Sequence, residues 1–213
     1  MFIGKYNRSV IITYIGVLAA ILGIVLAATG TGLTAYALIC LIVSGVCDLF
    51  DGVYARRCKR TDAEKQFGVQ IDSLADMIAF VALPIAISLS IGGFHFYQII
   101  VIYVFYALCA IIRLAFFGIT VDGLSGEPVK HYRGLPVTYA ALIFPLLWVF
   151  TSFLAPKLTA IVFAAGMAIV GFLYILDIKI AKPRGVFYIL FPLLAIALIV
   201  LTLVANAGIK GIA

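Results

Sequence analysis

The run Asp48-Leu-Phe-Asp-Gly-Val-Tyr-Ala-Arg56, followed by Gly68-Val-Gln-Ile-Asp-Ser-Leu-Ala-Asp76, places four carboxylates within strongly apolar stretches of the chain. At 3.6 residues per turn, both acids of the first run share one helix face with a glycine and an alanine. In the second run a glycine and two acids recur at every fourth residue. These positions are Asp48, Asp51, Gly52 and Ala55, then Gly68, Asp72 and Asp76. The spacing predicts a polar site between two facing helices.

The composition is typical of a membrane protein, because 65% of the residues are hydrophobic, 11% are charged and the mean hydropathy is +1.24. Seven apolar runs are each near the about 20 residues needed to cross a bilayer. The predicted spans are 10–29, 33–55, 68–92, 95–117, 136–155, 158–177 and 186–206. The first run is longer than the apolar part of a signal peptide and leads straight into the second span, so we expect it to be retained.

We therefore expect an all-α fold, a polytopic bundle of transmembrane helices forming one integral membrane domain over residues 1–213. Helices within 33–92 carry the two acidic runs, and the charged segment 57–66 between them is short enough to make them adjacent antiparallel neighbours. Residues 1–9 are predicted to lie in the membrane interface, either as a short helix or as a frayed terminus.

Basic residues are distributed unevenly among the loops that these spans imply. Of the fifteen Lys and Arg residues, only Lys157 and Lys210 fall on one side of the membrane, and the other thirteen fall on the side of the N-terminus. The positive-inside rule then predicts a cytoplasmic N-terminus, with the acids at the cytoplasmic ends of their helices in the cell membrane. The same loops account for the net charge of +6 and favour anionic lipid headgroups, rather than nucleic acid, as partners.

The acids have a structural and a functional interpretation. Each charged aspartate near the centre of a membrane helix costs roughly 2.5–3.5 kcal/mol. The structural interpretation is that the acids lie near the interface and pair with Arg56, Arg57 or Lys59. The small residues at matching helical positions favour a bound ligand instead. Carboxylates without His or Cys favour hard cations, Mg²⁺ or Mn²⁺, and two such ions could bind a pyrophosphate.

The pattern D-x-x-D-G-x-x-A-R followed by G-x-x-x-D-x-x-x-D resembles the signature of the CDP-alcohol phosphotransferase family at every signature position. The resemblance implies a six-helix core, here with about one extra C-terminal span, that acts as a homodimer and uses divalent metal. The resemblance also assigns roles to residues. The implied metal ligands are Asp48, Asp51, Asp72 and Asp76, and Asp76 is also the implied general base. The small residues that would contact the cytidine nucleotide are Gly52, Ala55 and Gly68, and Arg56 would contact a phosphate.

Residues 67–76, extended by Phe80 and Pro84, resemble the phosphatidylserine synthase branch of this family, although Val81 stands where that branch carries glycine. The Gly-Leu-Pro at 134–136 is similar to the same branch. This likeness implies transfer of a phosphatidyl group from CDP-diacylglycerol to the hydroxyl of L-serine, with release of CMP.

Three cations are candidates for binding the serine carboxylate, namely Arg113, Lys130 and Arg133, although the positive-inside rule also accounts for basic residues in this loop. A sister enzyme that uses glycerol 3-phosphate, inositol phosphate or an archaeal ether-lipid donor is an alternative. A cation transporter is a second alternative, but the acids lie beside a basic loop and alternate with glycines, which disfavours an ion path at mid-membrane.

Overall fold

Helices make up most of the protein in this computed structural model, which describes residues 4, 7–92, 96–122, 131–181 and 187–212. The α-helices of this part are α1 (Ile11–Ala28), α2 (Thr34–Arg57), α3 (Asp62–Met77), α4 (Leu83–Ile91), α5 (Phe96–Asp122), α6 (Ala140–Thr151), α7 (Pro156–Ile175) and α8 (Phe187–Ile212). A π-helical turn, Ile78–Ala82, joins α3 directly to α4. Strand β1 (His131–Arg133) pairs antiparallel with β2 (Lys179–Ala181). The predicted all-α fold class is confirmed, with this small ribbon as an addition.

Within the described residues, six helical segments are long and apolar enough to cross a membrane. They are Arg8–Ala28, Thr34–Arg57, Asp62–Ile91, Ile99–Gly118, Pro156–Ile175 and Tyr188–Gly208. The fifth predicted span, 136–155, is instead a shorter apolar helix, Val137–Thr151. At about 1.5 Å per residue it covers about 22 Å, less than the about 30 Å of a bilayer core. The protein is therefore a multi-pass membrane protein, and its orientation stays a prediction.

The helix that carries the second acidic run begins earlier than its apolar pattern indicates. Only residues 58–61 separate α2 from α3, whereas the sequence predicts a connection over 57–66. Thr61 caps α3, since its Oγ1 accepts the Glu64 N–H at 3.3 Å while Glu64 Oε2 accepts the Thr61 N–H at 2.7 Å. This capping box satisfies backbone donors at the helix start and allows the charged first turn to be helical.

Small residues bring α1 close to α2. A Cβ added to Gly16 would lie 3.1 Å from Cys47 Cβ, and one added to Gly23 would lie 2.8 Å from Cys40 Cβ. Ser44 Oγ donates to the Gly16 carbonyl at 2.9 Å across the same interface. Such close contacts stabilise helix pairs in lipid, where apolar burial alone gives little drive for association.

Aromatic and aliphatic side chains fill the centre of the bundle, and apolar side chains also cover its outside. Phe144 stacks on Phe163 with ring centroids 5.1 Å apart, and both rings are fully buried. On the outer faces of α1, α5 and α8, Leu18, Val101 and Ile189 are 68%, 74% and 67% exposed. An apolar exterior of this extent is suited to lipid contact rather than to water.

The position of α1 leaves room for a site between the two acid-bearing helices. Helix α1 packs along α2 and also contacts α3 and the π-helical turn, whereas α2 and α3 have little direct packing against each other. Farther along the same continuous helix, the π-helical turn and α4 do pack against α2, so the two acid-bearing helices are neighbours, as expected. They face each other across an opening, and their carboxylates point into it.

Candidate active site

The four acids of the two runs meet between α2 and α3. Asp48, Asp72 and Asp76 each present a carboxylate oxygen within 4.8 Å of the others. The carboxyls of Asp48 and Asp76 are in hydrogen-bonding contact, and so are those of Asp51 and Asp72. Asp51 and Asp76 are only 7% and 8% exposed. Because like charges repel strongly where water is scarce, this arrangement requires bound cations or shared protons.

The donor set fits a hard divalent cation. Three converging carboxylate oxygens are the ligands that Mg²⁺ and Mn²⁺ prefer, and Asp51 lies beside them as a fourth carboxylate. The cluster opens on a cavity of about 480 Å³, which leaves space for a substrate to complete the coordination. The acids could thus bind metal ions together with a ligand.

Thr13 of α1 orients one of these acids. Its Oγ1 donates to Asp51 Oδ2 at 2.9 Å, and both side chains are buried. The bond fixes the Asp51 carboxylate beside Asp72. Sequence reasoning missed Thr13 because it lies in the first apolar run, far from the motif, and its only signal is a polar side chain among isoleucines and a tyrosine.

The small residues of the motif line the same cavity and are not required by helix packing. A Cβ on Gly52 would meet no atom within 4 Å, and one on Gly68 would come no nearer than 3.7 Å to Arg60 Nη1. Their missing side chains therefore widen the cavity rather than allow two helices to touch. The sequence-predicted residues that the structure brings together around the cavity are Asp48, Asp51, Gly52, Ala55, Arg56, Gly68, Asp72, Asp76 and Arg113.

Arg113 places a buried positive charge at the cavity. It is 7% exposed, its Nε donates to the Leu135 carbonyl at 3.0 Å, and its guanidinium lies 5.2 Å from the centroid of the Phe117 ring. These contacts fix the guanidinium on the side of the acids. The other two candidates for the serine carboxylate, Lys130 and the side chain of Arg133, lie outside the described part of the structure.

The wall formed by α6 and α8 is mainly apolar. Leu142, Phe191 and Ala195 line the cavity there, and Ile42 and Val46 of α2 belong to the same apolar cluster as Leu142 and Ala195. Polar groups at one wall and apolar side chains at another suit a ligand with a charged head and a hydrocarbon body. This apolar wall was not predicted, since nothing in the sequence distinguishes it from lipid-facing residues of the same helices.

Fold and site together define an integral membrane protein whose buried acids face a cavity suited to an amphiphile. The chain belongs to the CDP-alcohol phosphatidyltransferase family, whose family model matches residues 6–207. The family assignment made from the acidic signature is confirmed. No solved structure gives a significant match.

Curated relatives share part of the chain. It is 36% identical over 109 residues to a protein of Saccharomyces cerevisiae named CDP-diacylglycerol–serine O-phosphatidyltransferase, which covers 48% of this chain and 38% of the relative. A Methanocaldococcus jannaschii protein of the same name is 30% identical over 153 residues, 71% of this chain and 67% of the relative. An archaetidylserine synthase of Methanothermobacter thermautotrophicus is 32% identical over 106 residues, 50% of this chain and 43% of the relative. The match thus spans well under half of the yeast relative and about two thirds of the Methanocaldococcus one.

Proposed function

We propose that residues 1–213 act as one catalytic domain that transfers the phosphatidyl group of CDP-diacylglycerol to the hydroxyl of L-serine, giving phosphatidylserine and CMP. The observation that carries this proposal is the convergence of three carboxylates in one cavity with Arg113 and an apolar wall. Family membership supports the reaction class. The printed names of the relatives support serine as the acceptor.

Asp48, Asp51, Asp72 and Asp76 would hold two divalent cations, Mg²⁺ or Mn²⁺. When bound, such ions supply charge neutralisation for the pyrophosphate and for the departing phosphate. The four carboxylates, for their part, fix the place of that charge, because α2 and α3 carry them, α1 packs against both helices and Thr13 orients Asp51. A preorganised site of this kind needs little rearrangement during the reaction.

Asp76 is proposed as the general base. The serine hydroxyl oxygen attacks the phosphorus that carries the diacylglycerol, the bond from this phosphorus to the bridging oxygen breaks, and CMP leaves with that oxygen. The hydroxyl proton passes to the Asp76 carboxylate. Asp76 is largely buried beside Asp48, at the wall of the cavity that would receive the acceptor.

The nucleotide and the serine occupy different parts of the cavity in this proposal. Gly52, Ala55 and Gly68 give the cytidine nucleotide access to bare helix backbone, and Arg56 contacts a phosphate. Arg113 binds the serine carboxylate, since its guanidinium is a forked donor held beside the acids by the Leu135 carbonyl. Lys130 and Arg133 remain proposed serine contacts on sequence grounds alone.

One relative favours a second donor lipid. It is named archaetidylserine synthase, so an ether-linked CDP-lipid is the alternative substrate. Acceptors such as glycerol 3-phosphate or inositol phosphate have no comparable support. Membership of the family argues against the cation-transporter alternative.

CMP release by the detergent-purified protein tests the proposal. Ester-linked and ether-linked CDP-lipids are each supplied with serine, glycerol 3-phosphate or inositol phosphate, in Mn²⁺, Mg²⁺ or chelator. We expect release that requires serine and is abolished by chelator. Release with another acceptor alone would contradict the serine assignment, and no release from folded protein with any pair would contradict the proposed activity.

A further inference from the structure

A π-helical turn and a proline interrupt the acid-bearing helix two and eight residues after Asp76. Pro84 has no N–H, so the Phe80 carbonyl four residues earlier lacks its usual helical donor. The Leu83 N–H donates to the Ile78 carbonyl five residues earlier, as a π-helical turn requires. A free carbonyl inside a membrane bundle is costly unless another group donates to it.

Tyr106 of α5 supplies that donor. Its hydroxyl donates to the Phe80 carbonyl at 2.6 Å, and the Tyr174 hydroxyl of α7 lies 3.1 Å from the Tyr106 oxygen. The Tyr174 hydroxyl is also 3.4 Å from the Val137 carbonyl. Both tyrosines are buried, at 0% and 2% exposure. Two phenols thus connect the π-helical turn to α7 and to the segment before α6.

The same segment supports Arg113. Its Nε bonds to the Leu135 carbonyl, and the Leu135 N–H donates to the Leu173 carbonyl at 3.0 Å, next to Tyr174 in the chain. Gly134, with φ of 75°, is the residue that allows this close approach, because a Cβ there would lie 2.5 Å from the Tyr174 carbonyl oxygen. The helix after Asp76 and the backbone that holds Arg113 therefore meet at one buried pair of hydroxyls.

We propose that Tyr106 and Tyr174 are positioning residues: their hydroxyls fix the Asp76 end of the metal site relative to the segment 135–137 that holds Arg113. Phe80 lies four residues, or about 6 Å along the helix axis, beyond Asp76. Loss of the bond to its carbonyl would let the π-helical turn shift and change the spacing between Asp76 and Asp48. The proposal rests on the proposed function for the role of the acids.

Tyr103 provides a matched control. It lies on the same helix three residues earlier, is 4% exposed, and its hydroxyl donates to Ser88 Oγ at 3.0 Å. Tyr103→Phe therefore removes a buried hydroxyl bond between α5 and α4 without touching the π-helical turn. A merely structural role for Tyr106 would make the two variants behave alike.

The test measures Mn²⁺ affinity by titration calorimetry, thermal unfolding, and kcat and KM for serine in Tyr106→Phe, Tyr103→Phe and Tyr174→Phe. We expect Tyr106→Phe to weaken Mn²⁺ binding and to lower kcat, each by less than the about tenfold that follows loss of a hydrogen bond to a ligand itself, because Tyr106 acts through the Phe80 carbonyl. Tyr174→Phe is expected to act in the same direction but less strongly, since it leaves the bond to Phe80. Tyr103→Phe should lower the unfolding temperature and leave Mn²⁺ affinity and kcat unchanged.

Equal Mn²⁺ affinity in Tyr106→Phe and Tyr103→Phe would overturn the positioning role. Because Mn²⁺ binding is measured without turnover, its loss in Tyr106→Phe would support the proposal even if the wild-type protein released no CMP, a result that would overturn only the proposed function. Wild-type protein that binds no Mn²⁺ would overturn the positioning role as well.

Discussion

At the scale of single residues, Asp76 differs from its neighbours in having two tasks in the proposed reaction. It is one of three carboxylates that converge within 4.8 Å, and it is also the proposed acceptor of the serine proton. Its position was predictable, because a spacing of four places Asp72 and Asp76 on one helix face whatever the tertiary packing. The contact between Asp51 and Thr13 could not be predicted from the sequence, since it depends on how α1 packs against α2.

Asp76→Asn separates the two tasks. The amide keeps the size and one oxygen of the side chain but cannot take a proton, so turnover should fall by at least about a hundredfold. CDP-lipid binding, measured by displacement of a labelled CDP-lipid, should persist. Asp62→Asn is the control, because Asp62 is exposed and pairs only with Lys65 at 2.8 Å among the contacts described. Loss of lipid binding in Asp76→Asn would contradict a role centred on proton transfer.

Arg113→Ala tests recognition of the acceptor. If the guanidinium binds the serine carboxylate, the KM for serine should rise by about tenfold or more, and more than the KM for the CDP-lipid. Arg57→Ala serves as control, since Arg57 is an exposed cation at the end of α2 and does not line the cavity. Equal rises in both KM values would argue against carboxylate recognition by Arg113.

At the scale of elements, glycines have two distinct uses in α1 and α2. Gly23 allows α1 to approach Cys40 and Leu83, whereas Gly52 faces open space in the cavity. Gly52 could be recognised from its motif, but no local sequence pattern distinguishes a glycine that allows helix packing, such as Gly23, from one that lines the cavity. That distinction comes only from the neighbouring helices.

Gly52→Leu should block the nucleotide without harming the fold. Leucine favours a helix over glycine by about 1 kcal/mol, and nothing lies within 4 Å of the added Cβ, so the unfolding temperature should be unchanged or higher. The KM for the CDP-lipid should rise by at least about tenfold, while Mn²⁺ affinity remains. Gly23→Ala is the opposite control and should lower thermal stability. Normal CDP-lipid affinity in Gly52→Leu would contradict the proposal that the nucleotide lies against Gly52.

Element boundaries show where apolar pattern and hydrogen bonding give different answers. Apolar periodicity located the first two spans to within a few residues, but it placed the start of the third span at residue 68 rather than at Asp62. The Thr61 and Glu64 capping box explains the early start. The π-helical turn after Asp76 was also missed, because Pro84 indicates a freed carbonyl at Phe80 but neither the π-helical geometry nor the tyrosine that bonds to this carbonyl.

At the scale of the whole molecule, the all-α multi-pass bundle could be predicted because apolar runs of bilayer length have few other stable states. The short length of α6 could not be predicted, since residues 152–155 are as compatible with the end of a helix as with its continuation. The homodimer stays a prediction from the family resemblance. The cytoplasmic orientation stays a prediction from the distribution of Lys and Arg.

Labelling of Cys58 tests that orientation. Cys58 is a partly exposed free cysteine in the connection between α2 and α3, beside the proposed site. A membrane-impermeant maleimide should label it in inverted membrane vesicles and not in right-side-out vesicles. Phe153→Cys in a Cys58→Ser background, at a position 63% exposed in the connection between α6 and α7, should show the reverse. Labelling of Cys58 only in right-side-out vesicles would invert the proposed topology.

Incorporation of isotopically labelled serine into lipid is the most direct test of the central claim, that the carboxylate cavity joins serine to a CDP-lipid. Purified wild-type protein with Mn²⁺, CDP-diacylglycerol or its ether analogue, and labelled serine should form one labelled phospholipid per CMP released, as measured by mass spectrometry. Asp76→Asn should form almost none. CMP release without labelled lipid, or equal incorporation by Asp76→Asn, would contradict the account.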